Sequence, residues 1–458
     1  MSVRQIEDYV RALGLDAYAV GGAVRDELLG IEPREVDFLV PHVDHAALRA
    51  ALEPHGRVED LEVAGQQVGV RLHPRDPAVR RLARSGIEFA PPRAERSTGP
   101  GRHDFVIVAD PSITVEEDMA RRDFTINALA RRLETDELVD PFEGRVDLAR
   151  RRLRTVSARS FAEDPLRLVR GLRFVSQFDL DPDEATLAQM RAEAPSVALV
   201  SGERVGGGLR ADALGELSKL LLGAQPAKAL RLARDTGVLT ELLPEFRGAV
   251  GYDQRSGRQH LPLDEHIFAT VQAAADAGAP LEVRLAALFH DLGKPAADAH
   301  GGAHADRGAE LAAGALRRLR YPARVQSYVT RLVRRHAFPL DQPIDELRAR
   351  RFLREHGDRL ALDLVAHKEA DLRAKEVPPE EHAALARLRE LVEQERGSPH
   401  RVQDLAVDGS DLLALGYAPG PALGRALEAL VDDVVEDPAR NRRDALERRA
   451  RELLEEQR

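Results

Sequence analysis

"AYAVGGAVRDELLG", residues 17–30, runs from an apolar stretch into a glycine pair, and then into an arginine and an acid. The apolar run reads as a strand and the part after the glycines as a helix, so Gly21 and Gly22 form the turn between them. Glycine adopts backbone angles closed to other residues and lets a ligand approach the main chain. Successive N–H groups at a helix start make a nest for an anion. Arg25 then stands within reach of a phosphate as a fork donor. An ordinary turn would look the same, so the neighbouring stretches decide the reading.

The next strand candidate is "REVDFLV", residues 34–40. Glu35 and Asp37 stand two apart, which on a strand puts both carboxylates on one face. Two like charges side by side are costly unless a cation lies between them. Two oxygen ligands beside a phosphate nest suit magnesium, and magnesium can activate an attacking hydroxyl and neutralise leaving pyrophosphate. Glu88 in "GIEFAPP" is a candidate third carboxylate. The bland alternative is a polar strand face. Further strands are expected in "QQVGVRL" and "HDFVIVA", with helices such as "HAALRAALEPHG" between them. The expectation for residues 1–153 is therefore a mixed sheet with helices. "PPRAERSTGPGRHD", residues 91–104, reads as a charged loop within it.

Two later stretches extend the chemistry. In "RRDFTINALA" a helix would put Asp123 and Asn127 on one face, able to hydrogen-bond a ribose hydroxyl, with Arg122 free for phosphate. A capping role is the alternative for Asp123. In "EDPLR" a helix would make Asp164 and Arg167 neighbours, with Glu163 placed to orient Arg167. Cytosine and adenine each present an amine donor beside a ring-nitrogen acceptor, and uracil and guanine reverse that order. A carboxylate beside a guanidinium therefore suits C and A and repels U and G. The alternative is a surface ion pair of little value. Residues 150–173 hold eight arginines against two acids, a local charge of +6. Such a run is either a solvated face or a seat for RNA phosphates.

Composition bounds these readings. A chain of 458 residues exceeds one core, and two to four domains are expected. Aromatics are 4%, and the abundance of Ala, Leu and Arg favours helix. There is no cysteine, which excludes disulfides, zinc–cysteine sites and thiol catalysis. The net charge of −10 argues against a general nucleic-acid binder and leaves local patches to decide. The first residues carry acids and lack an apolar core, and no apolar run nears membrane-spanning length, so a soluble cytoplasmic chain is expected.

From about residue 154 nearly everything reads as helix, with "AVGYDQRSGRQHLPLD", residues 249–264, as the linker candidate. Beyond it, "LDEHIF", "ALFHDLGK" and "HKEADLRAK" supply His266, His290, Asp291 and Asp371. "EVRLAALFHDLGK" reads as an apolar helix ending in His-Asp, with Gly293 stopping it. Buried imidazoles and carboxylates need partners, and one divalent ion bound by two His and two Asp would satisfy all four. His304 and His336 are candidates for a second ion or for a phosphate; a hydrogen-bonded core residue is the alternative for each.

"VGGAVRDELLG", "REVDFLV", "EEDMARRDFTINALA" and "FAEDPLRLVRGLRF", in that order, resemble the class II tRNA nucleotidyltransferase and bacterial poly(A) polymerase family. The loop at 91–105 and the order His, His-Asp, Asp are most similar to multifunctional CCA-adding proteins with an HD phosphohydrolase domain. The resemblance implies an α+β chain: a polymerase-β-like head (1–153), a helical neck (154–250), an HD body (251–375) and a small helical tail (376–458). It implies that Gly21, Gly22 and Arg25 hold the triphosphate of the incoming nucleotide, and that Glu35 and Asp37 bind magnesium. Arg122, Asp123 and Asn127 would select a ribonucleotide, and Asp164 and Arg167 would read the base. His266, His290, Asp291 and Asp371 would hold nickel, manganese, cobalt or iron for hydrolysis of phosphate monoesters and 2',3'-cyclic phosphates. The implied function is template-independent addition of C and A from CTP and ATP to the tRNA acceptor end, without a membrane or an obligate protein partner. CC-only, A-only and poly(A) addition are the close alternatives, and an HD hydrolase with a weakened RNA-binding head is the distant one. Two features depart from the family. Glu35 stands where it usually has Asp, and Gly206-Gly207-Gly208 open an insertion of about eight residues in "SGERVGGGLRADALGELSKLLLG".

Overall fold

The apolar run before the glycine pair is a strand, β1 (Tyr18–Val20), with Ala19 and Val20 buried. Around it the computed structural model builds β2 (Asp37–Leu39), β3 (Gly56–Val63), β4 (Gln66–Pro74) and β5 (Ile87–Ala90). A separate hairpin, β6 (Ala94–Ser97) with β7 (Phe105–Val108), precedes β8 (Ala130–Arg132) and β9 (Leu138–Val139). The sheet order is β3-β4-β5-β2-β1-β8-β9, antiparallel except for the β2–β5 pair. The structure describes residues 3–33, 35–63, 65–97, 105–108, 110–207, 214–254 and 260–456. Most of the glycine-rich part of the 91–105 loop and residues 208–213 of the insertion therefore lie outside the described residues.

The sheet is held by alternate apolar side chains. β5 buries Ile87 and Phe89 and turns Glu88 outward, and Phe89 stacks on Phe38 of β2 with ring centroids 5.4 Å apart. The register sets the end of β1 beside the start of β2: Val20 pairs with Asp37, which in turn pairs with Glu88. Gly21 follows directly with φ +66° and ψ −121°, a conformation open essentially to glycine alone, and the Gly22–Leu28 helix starts after it. The expected strand–turn–helix is thus present.

Four local expectations are corrected. The stretch 91–104, expected as a loop, holds the strand Ala94–Ser97, paired with Phe105–Val108. β2 begins at Asp37, so Glu35 lies in the irregular segment before the strand rather than on it. "RRDFTINALA" is not a helix. The Val115–Ala120 helix, started by a Thr114–Glu117 capping box, ends first; a single tight turn spans Thr125–Asn127, and β8 follows. The reason is that the main chain here bonds outward, Thr125 N–H to Arg154 O at 2.9 Å and Phe124 bridging Thr155, instead of up a helix. "EDPLR" is likewise broken. Asp164 precedes Pro165, whose ring disfavours a helical neighbour, so Asp164 is extended (φ −145°, ψ 101°) between the Ser160–Glu163 and Leu166–Phe178 helices.

The described chain forms two compact units, residues 1–247 with 318–322, and 248–317 with 323–458. Beyond the head, the first unit is almost wholly helical. In the insertion, the Gly202–Val205 helix stops at the glycines, and Gly207 bridges Leu214 across the excursion. In the second unit, helices Leu263–Asp276, Leu281–Phe289, Ala323–Arg335 and Asp358–Arg373 enclose the histidines. The charged stretch after 377 is a helix, Pro379–Glu395, whose Leu385, Leu388, Leu391 and Val392 share a core with Ala349, Leu353 and Val365. A last small core forms around Leu412, Tyr417, Leu430 and Leu446.

Candidate functional site

Eight of the residues singled out in the head and two in the neck line one cleft of about 520 Å³: Gly21, Gly22, Arg25, Glu35, Asp37, Arg122, Asp123 and Asn127, with Asp164 and Arg167; Glu88, the candidate third carboxylate, does not line it. Arg121, Arg170 and Arg173 line it too and were missed individually in the sequence, although Arg170 and Arg173 belong to the basic run.

Most of the basic and polar cleft residues are held by partners. Arg25 is buried; its Nη1 donates to Asn127 Oδ1 at 2.6 Å, its Nε and Nη2 reach Asp26, and it sits over the rings of Phe174 and Phe178 at 5.2 and 4.6 Å. Asn127 in turn donates to Asp123 Oδ1 at 2.9 Å, so this pair meets as expected, across a turn instead of along a helix. Asp123 also receives Arg170 at 2.8 Å. Arg121 and Arg122 are set by Asp118, a fully buried carboxylate 2.8 and 3.0 Å from them. Burial opposes the charge of Asp118, and its two arginines overcome that and hold it below the usual carboxylate range.

The two acids at the sheet end behave differently. Desolvation pushes the Asp37 carboxyl above its ordinary value, Glu88 and Glu35 add to this, and Arg122 only partly offsets it. A carboxylate made uncomfortable by its own neighbours is what a cation would relieve. The donors on offer are oxygens, the set that a hard ion such as magnesium takes. Glu88 is turned to Arg71, with an N–O separation of 2.5 Å, so it acts on Asp37 as a nearby charge.

Donors and acceptors are concentrated at the break between the Ser160–Glu163 and Leu166–Phe178 helices. Arg167 donates to Ser160 O and Oγ, to Arg121 O at 2.9 Å and, at the long distance of 3.4 Å, to Glu163, so Ser160 and Arg121 hold it more closely than Glu163 does. Asp164 faces Arg204, a residue no sequence argument picked out. The basic run is not a free patch. Arg152 and Arg154 pair with Asp147, Arg170 with Asp123 and Arg173 with Glu216. Burial first, and then the charges of Arg170 and Arg25 against the help of Glu216, bring Arg173 down to about 10.

In the second unit the four expected ligands meet. His266 Nε2 lies 3.2 Å from His290 Nε2, 3.4 Å from Asp291 Oδ2 and 3.2 Å from Asp371 Oδ1. Ligands about 2.1 Å from one ion, at angles of about 90–110°, stand roughly 3.0–3.4 Å apart, so the donor set fits a single divalent metal. Asp291 Oδ2 and Asp371 Oδ1 are buried and turned toward both imidazoles. Asp291 also turns its other oxygen to His304 and His336, 3.5 and 3.6 Å away, which makes a second three-ligand group. Burial works against a charge on His290, yet Asp291 and then Asp371 raise it to about 9, and Lys294 and Lys375 approach the two carboxylates at 2.6 Å. His367, one turn before Asp371 in "HKEADLRAK", was overlooked. It is fully buried and edge-on to His290 and His336, with ring centroids 5.1 and 5.6 Å away.

Residues 17–154 match the "Poly A polymerase head domain", and 179–249 the "RNA and SrmB-binding site of polymerase A". Residues 307–450 match "tRNA nucleotidyltransferase domain 2". The multifunctional CCA protein of Leptothrix cholodnii is 35% identical over 444 residues, which cover 92% of this chain and 96% of that one. The chain belongs to the multifunctional CCA protein family. Its Ralstonia nicotianae relative is 37% identical over 338 residues, 70% of this chain and 72% of the relative. Among solved structures, the Bacillus stearothermophilus CCA-adding enzyme in complex with CTP shares the fold. Its TM-score is 0.66 at 24% identity, over 99% of this chain and 96% of that one. The Thermotoga maritima CCA-adding enzyme complexed with tRNA gives 0.55 at 18% identity, over 99% and 94%. In this CCA-family chain no helix among the described residues is long and apolar enough to cross a membrane.

Proposed function

We propose that this chain adds C and A nucleotides from CTP and ATP to the 3' end of tRNA, completing CCA without a nucleic-acid template. The observation that carries the reading is the meeting of these ten residues, eight from the head and two from the neck, in one cleft. In this reading Gly21, Gly22 and Arg25 bind the triphosphate. Asp123 and Asn127, already bonded to each other, hold the ribose, and Arg122 faces phosphate. Asp164 offers an acceptor and Arg167 donors to the edge that C and A share. Glu35 and Asp37 hold magnesium, which when bound activates the attacking hydroxyl and neutralises the leaving pyrophosphate. Aligned phosphate, ribose and base contacts orient the nucleotide, and the paired arginines screen its charge.

In the second unit, His266, His290, Asp291 and Asp371 hold a divalent transition metal (nickel, manganese, cobalt or iron), and His304 and His336 take a second ion or a substrate phosphate. The bound metal supplies Lewis-acid chemistry toward a phosphate monoester or cyclic phosphate. Removing such a blocking group from an RNA 3' end prepares it for extension by the head. The division into head (1–153), neck (154–250), HD body (251–375) and tail (376–458), a cytoplasmic location and contacts with the tRNA acceptor end belong to the same reading.

The test is incorporation from each of the four nucleoside triphosphates into tRNA lacking CCA, by wild type and by Asp37→Asn. Incorporation of CTP and ATP alone, lost in the variant, supports the reading. Incorporation of UTP and GTP at similar rates, or incorporation that survives in the variant, contradicts it.

A further inference from the structure

Asp164 and Arg167 carry opposite charges three residues apart, and left to themselves they would pair. Each would then satisfy the other, and neither would be available to a base. The structure keeps them apart on both sides. Arg167 Nη1 is taken by Ser160 and Glu163, and its Nη2 by Arg121 O. Asp164 is taken by Arg204, Nη1 on Oδ1 at 3.2 Å and Nη2 on Oδ2 at 2.8 Å, in a two-pronged pair that fixes the carboxylate plane. Leu166 N–H occupies Oδ1 as well, at 3.1 Å.

Counting lone pairs shows the consequence. Oδ1 accepts twice and is filled, while Oδ2 accepts once and keeps one position open. Arg167 keeps its Nε–H and one Nη2 hydrogen. What remains is one acceptor beside donors, the complement of an amine beside a ring nitrogen. Arg204 is itself well seated. It lies on the Gly202–Val205 helix, where Val205 is buried and Gly202 passes so close to Arg318 O that a Cβ would stand 2.1 Å from it.

We propose that Arg204 is a positioning residue for nucleotide selection: it holds Asp164 off Arg167 and leaves a single acceptor for the incoming base. The inference rests on the base-reading role proposed above for Asp164 and Arg167. Without Arg204, Asp164 is free to turn to Arg167, three residues on, and the order of acceptor and donor that repels uracil is lost. Lysine keeps the charge but has no planar fork to hold both oxygens.

The experiment measures kcat/KM for CTP and for UTP in single additions to tRNA lacking CCA, using wild type, Arg204→Ala, Arg204→Lys and Asp164→Ala. The CTP-to-UTP ratio is expected to fall at least about tenfold in Arg204→Ala, the size of losing one well-placed charged hydrogen bond, and to be intermediate in Arg204→Lys. A structural role alone lowers both rates together and leaves the ratio unmoved, and that result in either arginine variant overturns the inference. Should Arg204→Ala not fold, the Arg204→Lys ratio decides: a ratio equal to wild type refutes the proposal. An unchanged ratio in Asp164→Ala refutes the base-reading role itself. A lowered ratio there with wild-type ratios in the Arg204 variants refutes only the role of Arg204.

Discussion

Asp123→Asn has an effect that can be worked from the geometry. Asp123 Oδ1 accepts from Phe124 N–H at 2.8 Å and Asn127 Nδ2 at 2.9 Å, and Oδ2 from Arg170 at 2.8 Å. Burial alone would raise this carboxyl. Arg170 foremost, then Asn127, Arg167 and the Phe124 N–H, reverse that, and it ionises at about 2 instead of 3.8. At about 1.4 kcal/mol per pK unit the ionised form stabilises the fold by roughly 2 kcal/mol at neutral pH. The folded value is the lower one, so this stability is fully present above the unfolded value and drains away as pH falls through about 2. Asparagine removes it and also strips Arg170 of its partner. Breaking a buried pair costs about 3–5 kcal/mol, and the Arg170 side chain is 36% exposed, so the low end applies. We expect a loss of about 2–4 kcal/mol at pH 7, narrowing by about 1 kcal/mol at pH 3, because every other titrating group cancels between the two proteins. Guanidinium unfolding of both proteins at the two pH values, followed by circular dichroism, measures this. A loss below about 1 kcal/mol at pH 7, or one that does not narrow at pH 3, would refute the argument.

Gly21→Ala forces a side chain into a positive φ and sets its Cβ 3.2 Å from Arg122 Nη1; about 1–3 kcal/mol of strain is expected, with a KM for CTP raised at least about tenfold in steady-state addition assays. Asp37→Asn should lower nucleotide addition at least about a thousandfold, while Glu35→Asp, with its carboxylate drawn back by one methylene, should retain addition and shift the magnesium concentration for half-maximal rate. Asp291→Asn weakens the first histidine group and the second together, because each of its oxygens serves one of them. Metal content by elemental analysis and phosphatase activity should both fall, with nucleotide addition unchanged in the same preparation.

The parts of the site legible in the sequence are those whose local rules agree with the fold. The Gly21-Gly22 turn was readable because a strand, a glycine pair and a helix follow in eleven residues, with no distant contact needed. The His-Asp end of the Leu281–Phe289 helix was readable for the same reason. Helices were misassigned where main-chain partners lie far away, as for Thr125 and Arg154, or where a proline reset its neighbour, as at Asp164. The residues named still meet in one cleft, since a turn can place Asp123 and Asn127 as close as a helix does. Partners distant in sequence left no local signal: Asp164 finds Arg204 forty residues on, and His367 reads as one polar residue among several in a charged helix. Asp118 was hidden in an acidic run, although its burial beneath Arg121 and Arg122 sets two walls of the cleft.

The most direct test of the central claim is mapping of 3'-end products at single-nucleotide resolution. Purified protein with magnesium is given tRNAs ending before CCA, after C and after CC, with CTP and ATP separately and together. Every substrate growing to CCA and stopping there is the result the account predicts. Growth that halts at CC, extension of the CC-ended tRNA alone, a long A tail, or no extension at all would contradict it.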